Sequence, residues 1–290
     1  HVAALHSNVE GMKQRLDVLM ARFPWTQMVV FSELAAFGPL HQYALPFPND
    51  TLRMFQDEAR RHKIWVIPGS MFEKAEDGRI YNTSVVINPD GEIIRTYRKM
   101  FPFKPYEADI SSGTDFCVFD VPGVGRFGLS ICYDIWFPET TRQLTSQGVE
   151  VLLHPVLTGT TDRDAEIAIA RATAAQFQCY VIDVNGLGAG GVGKSLVVDP
   201  TATVLHQSAG QEDMFPIEID LDMVRRQRET GLKINIIPGT EEARLSAQGV
   251  MLGWPGSYGL VCDIGGSSME LAEIKGGQVG RRMTSPLGPL

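Results

Sequence analysis

Apolar and polar positions repeat along the chain with two different periods, which predict helices and strands in turn. Residues 8–23 carry apolar side chains near helical spacing, and residues 49–63 repeat this behind an Asn-Asp cap. The stretches "HVAAL" (1–5) and "QMVVFSEL" (27–34) are typical of buried strands, and the second ends at an acid. The first part of the chain therefore predicts two strands and two helices.

Two β-rich stretches are interrupted by turn residues. "TSVVINPDGEIIRTYRK" (83–99) turns at Pro-Asp-Gly, and "FCVFDVPGVGRFGLSIC" (116–132) turns at Pro-Gly, so each predicts a hairpin. "IWVIPGSMFEK" (64–74) is predicted as one strand. Helices are predicted in 138–148 and 162–179, and strands in 149–156, 180–186, 195–199, 202–207 and 214–220. This mixture predicts a layered α/β protein with mixed or antiparallel sheets.

The glycine-rich stretch "GLGAGGVGKSLVVDP" (186–200) matches two phosphate-binding patterns at once. Both patterns require a helix after the glycines, because the helix N-terminus supplies the donors for phosphate. Here a β-branched run and Pro200 follow instead. The stretch therefore predicts a connection between two strands rather than a nucleotide site.

Composition narrows the class of protein and of partner. The 290 residues are 44% hydrophobic and 21% charged, as in an ordinary soluble globular protein, and the net charge of −8 argues against nucleic acid or an anionic membrane as the main partner. The sequence has no transmembrane-length apolar run, no signal-type N-terminus and no Cys-x-x-Cys pair. We therefore expect a cytoplasmic protein with free thiols and neither a zinc site nor a disulfide framework.

Three polar residues each stand at the end of a predicted strand: Glu33, Lys99 and Cys132. A thiolate nucleophile needs a base to take its proton and a cation to favour its charge, and these residue types supply all three. Taken singly, each also fits an ordinary role, as a core cysteine, a solvated lysine or a turn-capping glutamate.

The segments around these residues, "FSELAAFG", "YRKMFPF" and "GLSICYDIWFPE", resemble the three signature segments of the nitrilase superfamily of carbon–nitrogen hydrolases. The resemblance runs from about residue 1 to residue 231 and implies a four-layer α-β-β-α sandwich, assigned to a domain over 1–233. It also implies a Glu-Lys-Cys triad on Glu33, Lys99 and Cys132. Glu107, eight residues beyond Lys99, is similar to the second glutamate of the aliphatic amidase and formamidase branches.

The residues after the nucleophile indicate the branch of the superfamily. Nitrile-hydrolysing members typically have Cys-Trp-Glu, whereas this chain has Cys-Tyr-Asp at 132–134, more like amidases. The resemblance implies hydrolysis of small-molecule, non-peptide amides through a thioester, with release of ammonia or an amine. Nitrile hydrolysis by the same triad is the alternative.

The resemblance also implies further properties of the enzyme. No metal or organic cofactor is needed, and the protein is expected to form a homodimer or higher homo-oligomer. Tyr133, Trp136 and His154 are candidates for lining the substrate pocket, although a histidine in an apolar strand also fits an ordinary core position.

The C-terminal part resembles a different family. "GTEEARL" (239–245) and "DIGGSSMEL" (263–271) are similar to segments of the exopolyphosphatase and guanosine pentaphosphate phosphohydrolase family, which has the actin-like ATPase fold. The resemblance places a catalytic glutamate at Glu242 and metal- or phosphate-linked acids at Asp263 and Glu270, with Ser267 where a glycine is usual. We assign 234–290 as a fragment of such a lobe. Metal-dependent phosphoanhydride hydrolysis by this segment and a catalytically impaired chimera are the remaining alternatives.

Overall fold

The structure of the chain is a computed structural model that describes residues 8–188, 190–230, 239–264 and 268–285. The predicted first strand, "HVAAL", lies outside the described residues. The chain divides into two compact units, 1–231 and 232–290, and each is described by itself.

The first unit contains most of the helices and strands that the hydrophobic pattern predicts, with shorter bounds, and a helix at 221–230 that the pattern did not predict. Its helices are α1 (Val9–Arg22), α2 (Asp50–His62), α3 (Pro138–Ser146), α4 (Asp162–Phe177) and α5 (Leu221–Thr230). Its strands are β1 (Met28–Val30), β2 (Trp65–Ile67), β3 (Met71–Lys74), β4 (Ile80–Ile87), β5 (Ile93–Arg98), β6 (Ile110–Ser111), β7 (Cys117–Val121), β8 (Gly125–Leu129), β9 (Val151–Val156), β10 (Tyr180–Asn185), β11 (Leu187–Gly188), β12 (Gly191–Val192), β13 (Leu196–Val198) and β14 (Val204–Gln207).

Two six-stranded sheets of mixed direction form the centre of this unit. In the first sheet the order is β1-β2-β4-β3, and β5 and β6 also pair with β4. In the second the order is β14-β13-β10-β9-β8-β7, with β8, β9 and β10 parallel and the outer pairs antiparallel. The predicted mixed α/β class is confirmed.

Three apolar cores show how the layers are stacked. One core joins the two sheets, with Ile67 and Val86 from the first and Phe127 and Leu153 from the second. A second core packs α1 and α2 on the outer face of the first sheet, and a third packs α3 and α4 on the outer face of the second. The resulting order of layers is helices, sheet, sheet, helices.

Two sequence predictions about strands are wrong. The stretch 64–74 forms two strands, because Pro68 and Gly69 break it; Gly69 has φ +76°, and a Cβ there would lie 1.8 Å from the carbonyl oxygen of Ser32. Residues 214–220 form no strand, since Pro216 lacks the N–H that a ladder needs.

The glycine-rich stretch is a connection between strands, as predicted. β11 and β12 pair with each other, and β13 follows them where a phosphate loop would begin a helix. Ser195, which a phosphate loop would turn toward a nucleotide, instead accepts a hydrogen bond from the backbone N–H of Asn185 at 3.0 Å.

The second unit packs one helix on one small sheet. It consists of α6 (Gly239–Gly253) and the antiparallel strands β15 (Gly259–Ile264), β16 (Met269–Lys275) and β17 (Gln278–Ser285), in the order β15-β16-β17. Ala243 and Ala247 of α6 meet Ala272 and Ile274 of β16 in its core. Within the described residues of the chain, no helix is long and apolar enough to cross a membrane.

Candidate active site

The ends of β1, β5 and β8 carry Glu33, Lys99 and Cys132 into one buried cluster. The ammonium of Lys99 lies 2.8 Å from Glu33 Oε1, and all three side chains are buried. Cys132 is close enough to Glu33 and Lys99 for the charges of both to act on its thiol. The structure therefore brings the three predicted residues together.

Glu107 joins the same cluster from the loop after β5. Its Oε2 atom lies 2.7 Å from Lys99 Nζ and accepts the backbone N–H of Phe103 at 2.6 Å. The lysine thus bridges two buried carboxylates, one on each side.

Asn82 on β4 is a member of the cluster that sequence reasoning missed. Its Nδ2 atom donates to Glu33 Oε1 and to Glu107 Oε1, each at 2.8 Å, and its side chain is fully buried. Its backbone carbonyl also accepts the N–H of Lys99 at 2.8 Å. The available signal was an amide in the middle of the apolar run "IYNTSVVI", where an unpaired polar group is costly.

The nucleophile candidate lies at the start of a tight 3₁₀ turn, Cys132–Trp136, and has a strained backbone. Cys132 has φ +46°, in the left-handed region that favours glycine. Asp134 holds the turn, since its buried carboxylate accepts the N–H of Ile131 and of Phe101, both at 2.9 Å, and the hydroxyl of Tyr97 at 2.7 Å. Asp134 therefore ties the turn to the strand and loop on either side of Lys99.

Burial and charge together determine the protonation of the cluster. Burial raises the pKa of Cys132 well above its usual value, and the negative charge of Glu33 adds to this while Lys99 opposes it. Burial also raises the pKa of Glu33, against the effect of Lys99. For Lys99, burial alone would lower the pKa, but Glu33, Cys132 and Glu107 raise it well above its usual value. The arrangement favours a neutral resting thiol beside a charged lysine.

The three predicted pocket residues have different surroundings. Tyr133 is half-buried and meets the ring of Phe103 edge-on, with centroids 5.1 Å apart. Trp136 donates its indole N–H to Glu166 at 3.4 Å. His154 lies inside β9 with Nδ1 2.8 Å from Ser130 Oγ, and burial lowers its pKa to about 3, which keeps the ring neutral. Their roles toward substrate stay predictions.

The acids predicted for phosphatase chemistry occupy separate places in the second unit. Glu242 is exposed on α6, Asp263 accepts the hydroxyl of Ser246, and buried Glu270 accepts the hydroxyl of Thr284 at 2.9 Å. Across the described ranges, these three acids do not form a group with metal-ligand spacing.

A scan against family models decides the family. The carbon–nitrogen hydrolase model matches residues 4–229. The chain belongs to the carbon–nitrogen hydrolase family. The Ppx/GppA phosphatase family model matches residues 221–289, in agreement with the second resemblance.

Curated relatives and solved structures agree with this assignment. An (R)-stereoselective amidase of Pseudomonas sp is 34% identical over 70% of this chain and 76% of its own length. A deaminated glutathione amidase of Dictyostelium discoideum is 33% identical over 66% of this chain and 75% of its own length. The crystal structure of a branch 10 nitrilase-superfamily member from Saccharomyces cerevisiae shares the fold, with TM-score 0.72, 24% identity and coverage of 79% of this chain and 89% of that one. The predicted class, an amidase-type carbon–nitrogen hydrolase, is confirmed.

Proposed function

We propose that the protein hydrolyses the carbon–nitrogen bond of a small non-peptide amide through a thioester on Cys132. One observation carries the proposal: Lys99 bonds to Glu33 and Glu107 at 2.8 and 2.7 Å in a buried cluster beside a strained cysteine. Buried ionisable groups with perturbed pKa values are typical of catalytic sites.

Acylation begins with proton transfer from Cys132 to Glu33. The sulfur attacks the amide carbonyl carbon, and the ammonium of Lys99 and the backbone N–H of Tyr133 stabilise the negative oxygen. Glu33 then returns the proton to the leaving nitrogen, the carbon–nitrogen bond breaks, and ammonia or an amine departs. Because Lys99 is already held by two carboxylates, no rearrangement is needed to place its charge.

Deacylation repeats the sequence with water as the nucleophile. Glu33 takes a proton from water, the oxygen attacks the thioester carbon, and the carbon–sulfur bond breaks to give a carboxylic acid. The proton on Glu33 returns to the thiolate of Cys132. Glu107 positions the substrate or the water through its contact with Lys99.

An amide is the substrate class that the sequence favours. The chain has Cys-Tyr-Asp at 132–134, and the relatives described above are amidases. The homo-oligomeric state, the cytoplasmic location and the domain boundaries 1–233 and 234–290 remain predictions.

The test is ammonia release from a panel of short amides, carbamoyl amines and nitriles. We expect release from an amide by the unmodified protein and by the control Cys262→Ala, whose thiol is exposed, and none by Cys132→Ala. Release that persists in Cys132→Ala would overturn the proposal. If the protein hydrolyses nitriles but no amide, the substrate class in the proposal is wrong and is a nitrile instead. Metal-dependent phosphate release that is abolished by Glu242→Ala would favour the phosphatase alternative.

A further inference from the structure

A hydrogen-bonded pair of side chains, Thr158 and Glu166, lies beside Cys132 just after the end of β9. The hydroxyl of Thr158 lies 3.7 Å from Cys132 Sγ and donates to Glu166 Oε1 at 2.9 Å. Both side chains are buried, and they belong to different elements from Glu33 and Lys99. Neither residue has a role in the acyl-transfer steps above.

The surroundings of Glu166 fix the direction of these hydrogen bonds. Besides Thr158, the carboxylate faces the indole N–H of Trp136 and the guanidinium of Arg163, each at 3.4 Å. A carboxylate among three donors acts as an acceptor, so the single proton of the Thr158 hydroxyl is given to Glu166. Toward the sulfur, Thr158 therefore offers only a lone pair, and the thiol of Cys132 must be the donor.

The backbone of Thr158 is fixed independently of any substrate. Its N–H donates to Asn185 Oδ1 at 2.8 Å, and its carbonyl accepts from Asn185 Nδ2 at 3.0 Å. The hydroxyl is therefore held beside the sulfur, because Asn185 fixes the backbone of Thr158 and Glu166 accepts the hydroxyl proton.

We propose that Thr158 and Glu166 form a positioning pair that holds Cys132 as an oriented, protonated thiol in the resting enzyme. The pair stabilises the protonated thiol, whereas the positive charge of Lys99 stabilises the thiolate. Holding the proton until a substrate carbonyl arrives protects a buried nucleophile from stray electrophiles. The inference rests on the proposed function in taking Cys132 as the nucleophile.

The test measures the alkylation rate of Cys132 by iodoacetamide against pH, with peptide mapping to separate it from the other cysteines. The midpoint of the profile reports the thiol pKa, and the plateau at high pH reports access to the sulfur. The threonine variants leave all the charged groups near the sulfur and near Thr158 in place. These groups are Glu33, Lys99, Glu107, Glu166 and Arg163.

Thr158→Val removes the acceptor without changing the shape of the side chain. We expect the midpoint to fall by roughly half a unit to one unit, so that alkylation near neutral pH becomes about three- to tenfold faster. Thr158→Ser keeps the hydroxyl and should restore the original midpoint. Thr173→Val, the same change at another buried threonine, should leave the midpoint unchanged.

Glu166→Gln tests the other half of the pair. Loss of its negative charge should also lower the midpoint, because that charge contributes to the raised pKa of Cys132, after burial and Glu33. An unchanged or raised midpoint in Thr158→Val, or a Ser variant that behaves like Val, would overturn the inference. The readout needs no amide turnover, so its failure is distinguishable from failure of the proposed function.

Discussion

The charge of Lys99 should be essential for the stability of the site as well as for its chemistry. Its ammonium lies 2.8 Å from Glu33 and 2.7 Å from Glu107, and all three groups are buried. At an effective dielectric constant of about 20, each pair is worth roughly 6 kcal/mol of attraction before desolvation is counted. Lys99→Met removes the cation and leaves two buried carboxylates without a charged partner. We expect the unfolding free energy at neutral pH to fall by about 3–5 kcal/mol.

The loss of unfolding free energy in Lys99→Met should increase as pH rises. Without the lysine, burial and the charge of Glu107 raise the pKa of Glu33 further above its unfolded value, so Glu33 binds a proton more readily in the folded variant than in the unfolded chain. The contribution of Glu33 to stability is then fully present in acid and is lost as pH rises, by up to about 1.4 kcal/mol per pH unit. The deficit of Lys99→Met relative to the unmodified protein should therefore be smaller near pH 5 than near pH 8.

Urea unfolding followed by tryptophan fluorescence measures this difference, since three of the four tryptophans lie in the first unit. The control is Lys194→Met, because Lys194 pairs with Asp164 at 3.1 Å while both side chains are exposed. That variant should change the unfolding free energy by less than about 1 kcal/mol. A loss below about 1 kcal/mol in Lys99→Met, or a loss that does not vary with pH, would refute the electrostatic reasoning.

Three further predictions follow from buried polar groups. Asp134→Ala leaves three hydrogen-bond donors without their acceptor, and it should lower the unfolding free energy by about 3 kcal/mol or more. Tyr97→Phe removes one of these donors and should cost about 1 kcal/mol, so equal losses of the two variants in urea unfolding would contradict this. His154, with a pKa of about 3 against the usual 6.5, binds a proton more readily when unfolded, so stability falls as pH drops between those values, and His154→Gln should flatten that slope in acid titrations of stability. Asn82→Asp adds a third carboxylate beside Glu33 and should move the acidic limb of the kcat/KM profile upward by about one unit or more, whereas an unmoved limb would argue against Glu33 as the base.

The catalytic candidates at the ends of strands could be predicted from the sequence, but the buried asparagine that hydrogen-bonds to them could not. Glu33, Lys99 and Cys132 each end a recognisable apolar run, and the resemblance to a known family supplied Glu107. Asn82 is different, because its partners lie 49 and 25 residues away along the chain. Its place within the run 80–87 is a local signal of burial, but that signal does not identify the two glutamates as its partners.

Backbone interruptions explain why two of the strand predictions are wrong. Residues 64–74 have the composition of one strand, but the close approach of Gly69 to Ser32 requires a break there. Residues 214–220 alternate like a strand, yet Pro216 prevents regular pairing. Both depend on what the backbone meets in the folded chain, which hydrophobic periodicity does not describe.

The central claim is that Cys132 carries the acyl group of the substrate during turnover. Acid quenching in the steady state with a short amide, followed by peptide mapping, measures this directly. The account predicts the mass of the acyl group on the peptide containing Cys132, removed by hydroxylamine as expected for a thioester and absent from Cys132→Ala. Steady release of ammonia with an acyl group on a different residue, or with retained turnover in Cys132→Ala, would contradict the account.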